Sequence, residues 1–113
     1  VITHFDGVWQ RRRFEGVTFD TLCQEAIAAL PRNVYVSFDI DGFDPALCPH
    51  TGTPVPGGLS FAEAVHMIGA GVESGRRVVG FDLVEVAPGQ DEWDANVGAR
   101  LLYKLCGAAM AGG

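Results

Sequence analysis

Apolar residues follow two kinds of pattern along the chain, one with a spacing of three to four residues and one in short unbroken runs. The first pattern predicts amphipathic helices, because it places apolar side chains on one stripe. It marks segments 18–30, 60–74 and 94–106. The runs at 34–38 and 78–86 are rich in β-branched and aromatic residues, which is typical of strands. The predicted order is helix, strand, helix, strand, helix.

Capping and breaking residues bound these helices: Thr18 or Asp20 and Pro31 for the first, Ser60, Glu63 and Gly75 for the second, and Asp94 and Gly107 for the third. Hydroxyl and carboxylate side chains accept the backbone N–H groups that a helix start leaves unpaired. Ser60 and Glu63 have the spacing of a capping box, in which the glutamate also bonds the capping residue's backbone. Glycine and proline favour helix ends.

The two apolar runs predict parallel strands, because a strand, a crossover helix and a second strand usually pair in this way. Their few polar residues indicate that both faces are covered. Two strands are a small sheet for this class, so we expect further strands from polypeptide outside residues 1–113. The sequence therefore predicts one α/β unit, and its first residue, Val1, indicates an upstream segment.

Residues 42–59 are rich in proline and glycine, which excludes regular helix or strand. Loops of this length inside compact domains are usually functional or disordered. Cys48 and His50 in this loop are two possible zinc ligands. Without a second pair of ligands, we favour an ordinary loop thiol for Cys48.

Charge and composition limit the classes of partner that we expect for the chain. The formal net charge is -6 and Lys104 is the only lysine, so nucleic acid is not expected as a partner. We interpret the basic run Arg11–Arg13 as a solvated or interface-facing turn rather than an anion site. No apolar stretch approaches the roughly 20 residues that span a bilayer, so no membrane partner is expected. The odd number of cysteines predicts a reducing, cytoplasmic location.

Asp39 and Asp41 directly follow the first predicted strand, at the edge where α/β sheets bind ligands. If the strand geometry continues, residues two apart point to the same side. Two close carboxylates repel unless one is protonated or a cation lies between them. Oxygen ligands alone favour Mn²⁺ or Mg²⁺ over zinc. The alternative is that both aspartates cap turns and face water.

Three motifs in order resemble the ureohydrolase family of arginase, agmatinase and formimidoylglutamase. They are SFDIDGFDP at 37–45 with TGTPVPGG at 51–58, FDLVEVAP at 81–88, and NVGARLLY at 96–103. The resemblance covers nearly the whole chain. It corresponds to only the C-terminal portion of the family's single α/β domain, a three-layer fold around a parallel sheet.

The resemblance implies that a hydroxide shared by two Mn²⁺ ions hydrolyses a C–N bond in a linear guanidine or amidine. Asp39 and Asp41 match metal ligands of the family, and we assign them as catalytic residues as well. Glu85 matches the acidic residue that binds the substrate's guanidinium group. Thr53 lies in the loop that walls the pocket, where we assign it to substrate binding and expect it to support Glu85. The intact enzyme is expected to be a homo-oligomer.

Physical chemistry adds to the assignment of Glu85, which lies at the end of an apolar run beside the proline-rich loop. A charge excluded from water is costly unless it has a partner. A guanidinium group supplies that partner through two parallel, charge-assisted hydrogen bonds. The alternative is a solvent-exposed strand end.

The sequence leaves open which substrate is used and whether residues 1–113 contain the whole active site. The remaining metal ligands of the family lie upstream, so these 113 residues alone are expected to be inactive. Val86–Pro88 is more similar to agmatinases and formimidoylglutamases than to arginases, which favours urea release from agmatine. Formimidoylglutamase or arginase activity is one alternative. A metal-free interaction module that keeps the family's shape is the other.

Overall fold

The computed structural model of the chain describes residues 1–111. Its helices and strands are, in chain order, α1 (Asp6–Phe14), α2 (Phe19–Ala28), β1 (Asn33–Asp39), α3 (Phe61–Glu73), β2 (Arg77–Val84) and α4 (Trp93–Ala111). A short 3-10 turn, Ile40–Gly42, directly follows β1. The predicted α/β order is confirmed, with α1 as an additional helix. Within residues 1–111, no helix has the combination of length and apolar character that crossing a membrane requires.

β1 and β2 pair in parallel, and α3 lies in the connection between them. The register runs from Asn33 opposite Arg77 to Asp39 opposite Val84, with one irregularity near the start of β1. The two strands therefore end level with each other. The segments that follow them leave the sheet at the same edge, which is where α/β folds bind ligands.

The sheet is covered on one face. Side chains of β1 alternate between half-buried and exposed, and the half-buried ones pack against residues of α3 and α4. The buried core consists of Ile40, Phe43, Cys48, Ala64, Val97, Leu101 and Leu105. The opposite face carries the exposed side chains of Tyr35 and Val79. The prediction of strands covered on both faces is therefore wrong for residues 1–111, because the helices that contact the sheet lie on one side.

The predicted starts of α2 and α3 are confirmed. Thr18 caps α2, since its hydroxyl oxygen accepts the backbone N–H of Thr21 at 3.1 Å. Ser60 and Glu63 form the full capping box of α3, with bonds of 3.1 Å and 2.9 Å. Gly75, with a φ of 89°, follows the end of α3. Local capping chemistry therefore determines these boundaries.

α4 differs from its prediction at both ends. It begins at Trp93, because a carboxylate oxygen of Asp91 accepts the Trp93 N–H at 3.1 Å. Asp94 is not the cap but lies buried in the first turn. The helix also continues through Gly107, because Ala108 packs into the interior and the residues beyond it favour helix.

α1 shows that the interpretation of the arginine run as a turn is wrong. None of its residues is buried, so its sequence has no apolar stripe to reveal it. Glutamates on neighbouring helices hold its arginines instead. Arg12 contacts both carboxylate oxygens of Glu25 on α2, and Arg13 contacts Glu63 on α3 at 2.8 Å. Tertiary ion pairs therefore dock this helix.

The proline-rich loop contains no helix or strand between Phe43 and Leu59, as predicted, but it is packed against the core. Its ends are joined by backbone hydrogen bonds of 2.9 Å, from Leu59 to the Gly42 oxygen and from Asp44 to the Leu59 oxygen. Gly58 permits this approach, since a Cβ there would lie 2.3 Å from the carbonyl carbon of Phe43. The loop is therefore held over the ends of the strands.

Candidate active site

The residues predicted to carry the chemistry lie where β1 and β2 end. Asp39 is the last residue of β1, and Asp41 lies in the 3-10 turn that follows it. Glu85 directly follows β2, and the residue before it, Val84, pairs with Asp39. The fold therefore places all three carboxylates at one edge of the sheet.

The backbone between Asp39 and Asp41 is not extended. Ile40 begins the 3-10 turn and its side chain is fully buried. A carboxylate oxygen of Asp39 caps this turn by accepting the backbone N–H of Asp41 at 3.1 Å. The condition that strand geometry continues through Asp41 is therefore not met, because the chain turns at the buried Ile40. The capping alternative describes Asp39 correctly.

Two threonines of the loop contact this edge. The hydroxyl of Thr53 donates to a carboxylate oxygen of Asp41 at 2.5 Å. Hydrogen bonds to an ionised group are short and strong, so this contact orients the aspartate. The hydroxyl of Thr51 donates to the main-chain oxygen of Glu85 at 3.0 Å. The support that we expected Thr53 to give Glu85 therefore comes from Thr51, and a role of Thr53 toward substrate stays a prediction.

Glu85 is distinguished by its backbone. Its φ of 68° is the one positive value among the non-glycine residues that the structure describes. β2 consequently ends at Val84, whereas the sequence predicted that it extends to Val86. The side chain of Glu85 is exposed, so the expectation of a charge excluded from water is wrong within these residues. Strained conformations of this kind are concentrated at functional positions.

His50 and Asp94 form a pair that the sequence did not reveal. Asp94 is 1% exposed, and its two carboxylate oxygens contact the backbone N–H and the ring Nδ1 of His50 at 3.0 Å and 2.8 Å. The hydrogen bond with Asp94 raises the pKa of His50. Burial alone would raise the pKa of Asp94, but the bonds from His50 outweigh it and the pKa is lowered. The buried charge is therefore paired.

The sequence signal for this pair was weak, because the two residues are 44 positions apart. Aspartate at a helix start usually serves as a cap, which explains the assignment of Asp94. Cys48, the other residue weighed as a zinc ligand, is fully buried. Burial raises the pKa of its thiol, which opposes the thiolate that zinc requires. Cys48 is therefore a core residue.

The donor atoms of Asp39 and Asp41 meet part of the needs of a metal ion. Asp39 and Asp41 supply carboxylate oxygens, which suit a hard divalent cation. Within residues 1–111, the set of three possible ligands whose donor atoms lie within 4.8 Å of one another is His50, Asp91 and Asp94, which does not include that pair. Two carboxylates fit part of a coordination shell of about six donors. Water or groups from outside these residues would supply the other ligands of a metal at Asp39 and Asp41.

Known proteins share both sequence and fold with this chain. Residues 7–107 match the arginase family. The N(1)-aminopropylagmatine ureohydrolase of Thermus thermophilus is 40% identical over 93 residues, 82% of this chain and 30% of that protein. The agmatinase of Proteus mirabilis is 48% identical over 88 residues, 78% of this chain and 25% of that protein.

Solved structures are also similar to this chain. The solved structure of the proclavaminate amidino hydrolase of Streptomyces clavuligerus superposes with a TM-score of 0.76 at 29% identity, covering 88% of this chain and 34% of the other. The chain therefore spans about a third or less of the length of the proteins it matches. The family resemblance carried by the three sequence motifs is confirmed, and with it the arginase-like α/β fold. The chain belongs to the arginase family.

Proposed function

We propose that this chain forms part of the active site of a Mn²⁺-dependent hydrolase that cleaves a C–N bond in a linear guanidine or amidine. The observation that carries the proposal is the convergence of Asp39, Asp41 and Glu85 at one sheet edge, beside a loop that contacts two of them. Polypeptide outside these 113 residues completes the site. We call this chain together with that polypeptide the assembled enzyme, of which residues 1–113 form the C-terminal portion.

Asp39 and Asp41 hold the metal in this proposal. Asp41 is oriented by Thr53, and Asp39 fixes the turn between the two aspartates through the Asp41 N–H. Bound Mn²⁺ would supply a water of lowered pKa and polarise the amidine carbon toward attack. Because two carboxylates leave the coordination shell incomplete, the chain alone should bind Mn²⁺ weakly and show no hydrolase activity.

Glu85 binds the substrate's cationic head in this proposal. A carboxylate accepts two parallel hydrogen bonds from a guanidinium group, which fixes the plane of the group as well as its position. The Thr51 hydroxyl holds the main chain of Glu85 at the strand end. The exposed Glu85 side chain can therefore meet a ligand that enters from the open edge of the sheet.

Agmatine is the substrate that the relatives favour. One relative is named an agmatinase, and another an N(1)-aminopropylagmatine ureohydrolase. Both names refer to agmatine or a derivative of it, which supports a guanidine on a cationic tail as the substrate class. Hydrolysis would release urea. Arginine and formimidoylglutamate are the competing substrates.

Two further proposals concern the setting of the enzyme. The open face and free edge of the small sheet are surfaces that more polypeptide can cover, which supports a homo-oligomeric enzyme. Cys23, Cys48 and Cys106 are free thiols, which supports a reducing, cytoplasmic compartment.

The test is a side-by-side assay of the assembled enzyme with agmatine, arginine and formimidoylglutamate, with added Mn²⁺ and after chelation. We expect urea release from agmatine that is lost on chelation and restored by Mn²⁺. Activity that survives complete metal removal contradicts the metal role. Absence of turnover with all three substrates favours a metal-free interaction module.

A further inference from the structure

Residues 50–53 form a bridge between three elements, and we call them the bridging segment. His50 contacts Asp94 in the first turn of α4. Thr51 donates to the main chain of Glu85, and Thr53 donates to the carboxylate of Asp41. One stretch of four residues therefore links α4 to the carboxylate of Asp41 and to the main chain of Glu85.

Asp94 is the fixed end of this bridge. Its carboxylate is 1% exposed and accepts two hydrogen bonds from a single residue, His50. A second contact ties the same helix turn to the loop, since the Trp93 indole N–H donates to the Ala46 carbonyl oxygen at 2.8 Å. Removing one partner of a buried charge pair leaves the other unpaired, which strongly favours keeping the two together.

The ring of His50 is also confined by Gly89. A Cβ at Gly89 would lie 2.3 Å from ring atoms of His50, closer than real atoms approach. The main chain of the segment after β2 therefore packs directly against the imidazole. Asp94 and Gly89 therefore both contact the imidazole, and Asp94 also holds the backbone N–H of His50, directly before Thr51.

We propose that the His50–Asp94 pair is a positioning device for the active site, acting through the bridging segment on Asp41 and Glu85. This inference rests on the proposed hydrolase function. Neither His50 nor Asp94 touches substrate in this account. Their effect is to hold Thr51 and Thr53 where the two hydroxyls reach the carbonyl oxygen of Glu85 and the carboxylate of Asp41.

The first test compares kinetics of His50 variants of the assembled enzyme at saturating Mn²⁺. His50→Ala should lower kcat/KM by about tenfold or more. His50→Asn places an amide donor near the position of Nδ1 and should recover kcat/KM to within about threefold of wild type. His66→Ala is the matched control, because His66 also pairs with an aspartate, Asp20, on the surface of α2 and α3.

A double-mutant cycle then separates positioning from general destabilisation. If His50 acts through Thr51, the pair His50→Ala with Thr51→Val should lower kcat/KM little more than His50→Ala alone. His66→Ala with Thr51→Val should be additive. Additive losses for the His50 pair, or a His50→Ala enzyme as active as His66→Ala, overturn the proposal.

A second measurement keeps this inference distinct from the proposed function. If the wild-type assembled enzyme hydrolyses no amidine, the function fails, and hydrogen exchange of backbone amides tests the bridge alone. His50→Ala should then speed exchange in residues 50–53 and 84–87, while His66→Ala leaves both unchanged. Unchanged exchange at 84–87 in His50→Ala overturns the bridge, whatever the activity.

Discussion

The hydroxyl of Thr51 donates to the main-chain oxygen of Glu85 at 3.0 Å, across 34 positions of sequence. Glu85 is also the residue whose φ of 68° is left-handed. A residue with a Cβ is disfavoured there by about 1–2 kcal/mol, so surrounding contacts must hold it. The Thr51 hydrogen bond is such a contact, and it comes from the same segment that orients Asp41.

Replacing Glu85 by glycine should raise stability while removing function. Glycine adopts positive φ without a steric cost, so Glu85→Gly should raise Tm of the assembled enzyme, by an amount equivalent to about 1 kcal/mol or less. Glu73→Gly, in the last turn of α3, should lower Tm instead. Thermal unfolding of the two variants checks this, and a lower Tm for Glu85→Gly would show that its backbone is not strained.

Loss of either aspartate should remove metal. Asp39→Ala or Asp41→Ala in the assembled enzyme should abolish activity and lower bound Mn²⁺, because a ligand oxygen is lost from an already shared shell. Asp44→Ala is the control, since Asp44 accepts the nearby N–H of Ala46 and is assigned no ligand role. Elemental analysis gives the metal content. Full stoichiometry in Asp41→Ala would leave this residue as a turn aspartate.

The His50–Asp94 pair should stabilise the protein within a pH window. Asp94 raises the pKa of His50 above 6.5. The contribution of His50 to the free energy of unfolding is therefore complete below pH 6.5, and it is lost as the pH rises through the raised pKa. The pKa of Asp94 lies below 3.8, so its contribution is complete above pH 3.8 and is lost as the pH falls through the lowered value.

The measurement is the Tm difference between wild type and His50→Ala at about pH 5.5 and about pH 8.5, on either side of the ordinary pKa of histidine. We expect a larger difference at the lower pH. Asp91 adds a smaller effect of the same sign on His50, so Asp91→Asn should narrow the window at its alkaline end. A difference that grows with pH contradicts a pair that depends on protonated His50.

Thiol reactivity should separate the three cysteines. Cys23 and Cys48 are fully buried, and burial raises the pKa of Cys23 to about 11, whereas Cys106 is exposed. An alkylating reagent should therefore modify Cys106 first in the folded chain, because the thiolate is the reactive form. Peptide mapping after brief alkylation checks the order. Cys23 reacting as fast as Cys106 would contradict the packing of α2 against α3.

Much of the fold was predictable from patterns of nearby residues in the sequence. The capping box at Ser60 and Glu63 defined the start of α3 because it depends on residues three apart. The apolar runs predicted both strands for a similar reason, since each run consists of neighbouring residues. α1 was missed because its arginines are held by Glu25 and Glu63, partners on other helices that no local pattern reveals.

The candidate site likewise has features that local sequence patterns predict and features that they do not. The position of Asp39, Asp41 and Glu85 at the strand ends was predictable, since carboxylates that follow parallel strands meet at one edge of the sheet. The turn at Ile40 and the left-handed Glu85 were not, because they depend on what the core and the loop hold in place. The His50–Asp94 pair joins distant segments and became visible only in three dimensions.

The central claim, that this sheet edge binds an amidine through Glu85, is tested most directly by kcat/KM of Glu85→Gln in the assembled enzyme. Glutamine keeps the size of the side chain and removes its charge. We expect kcat/KM with agmatine to fall by at least about a hundredfold, roughly 2.7 kcal/mol at the transition state, with Mn²⁺ content unchanged. Turnover within a few-fold of wild type at equal Mn²⁺ content would contradict the claim.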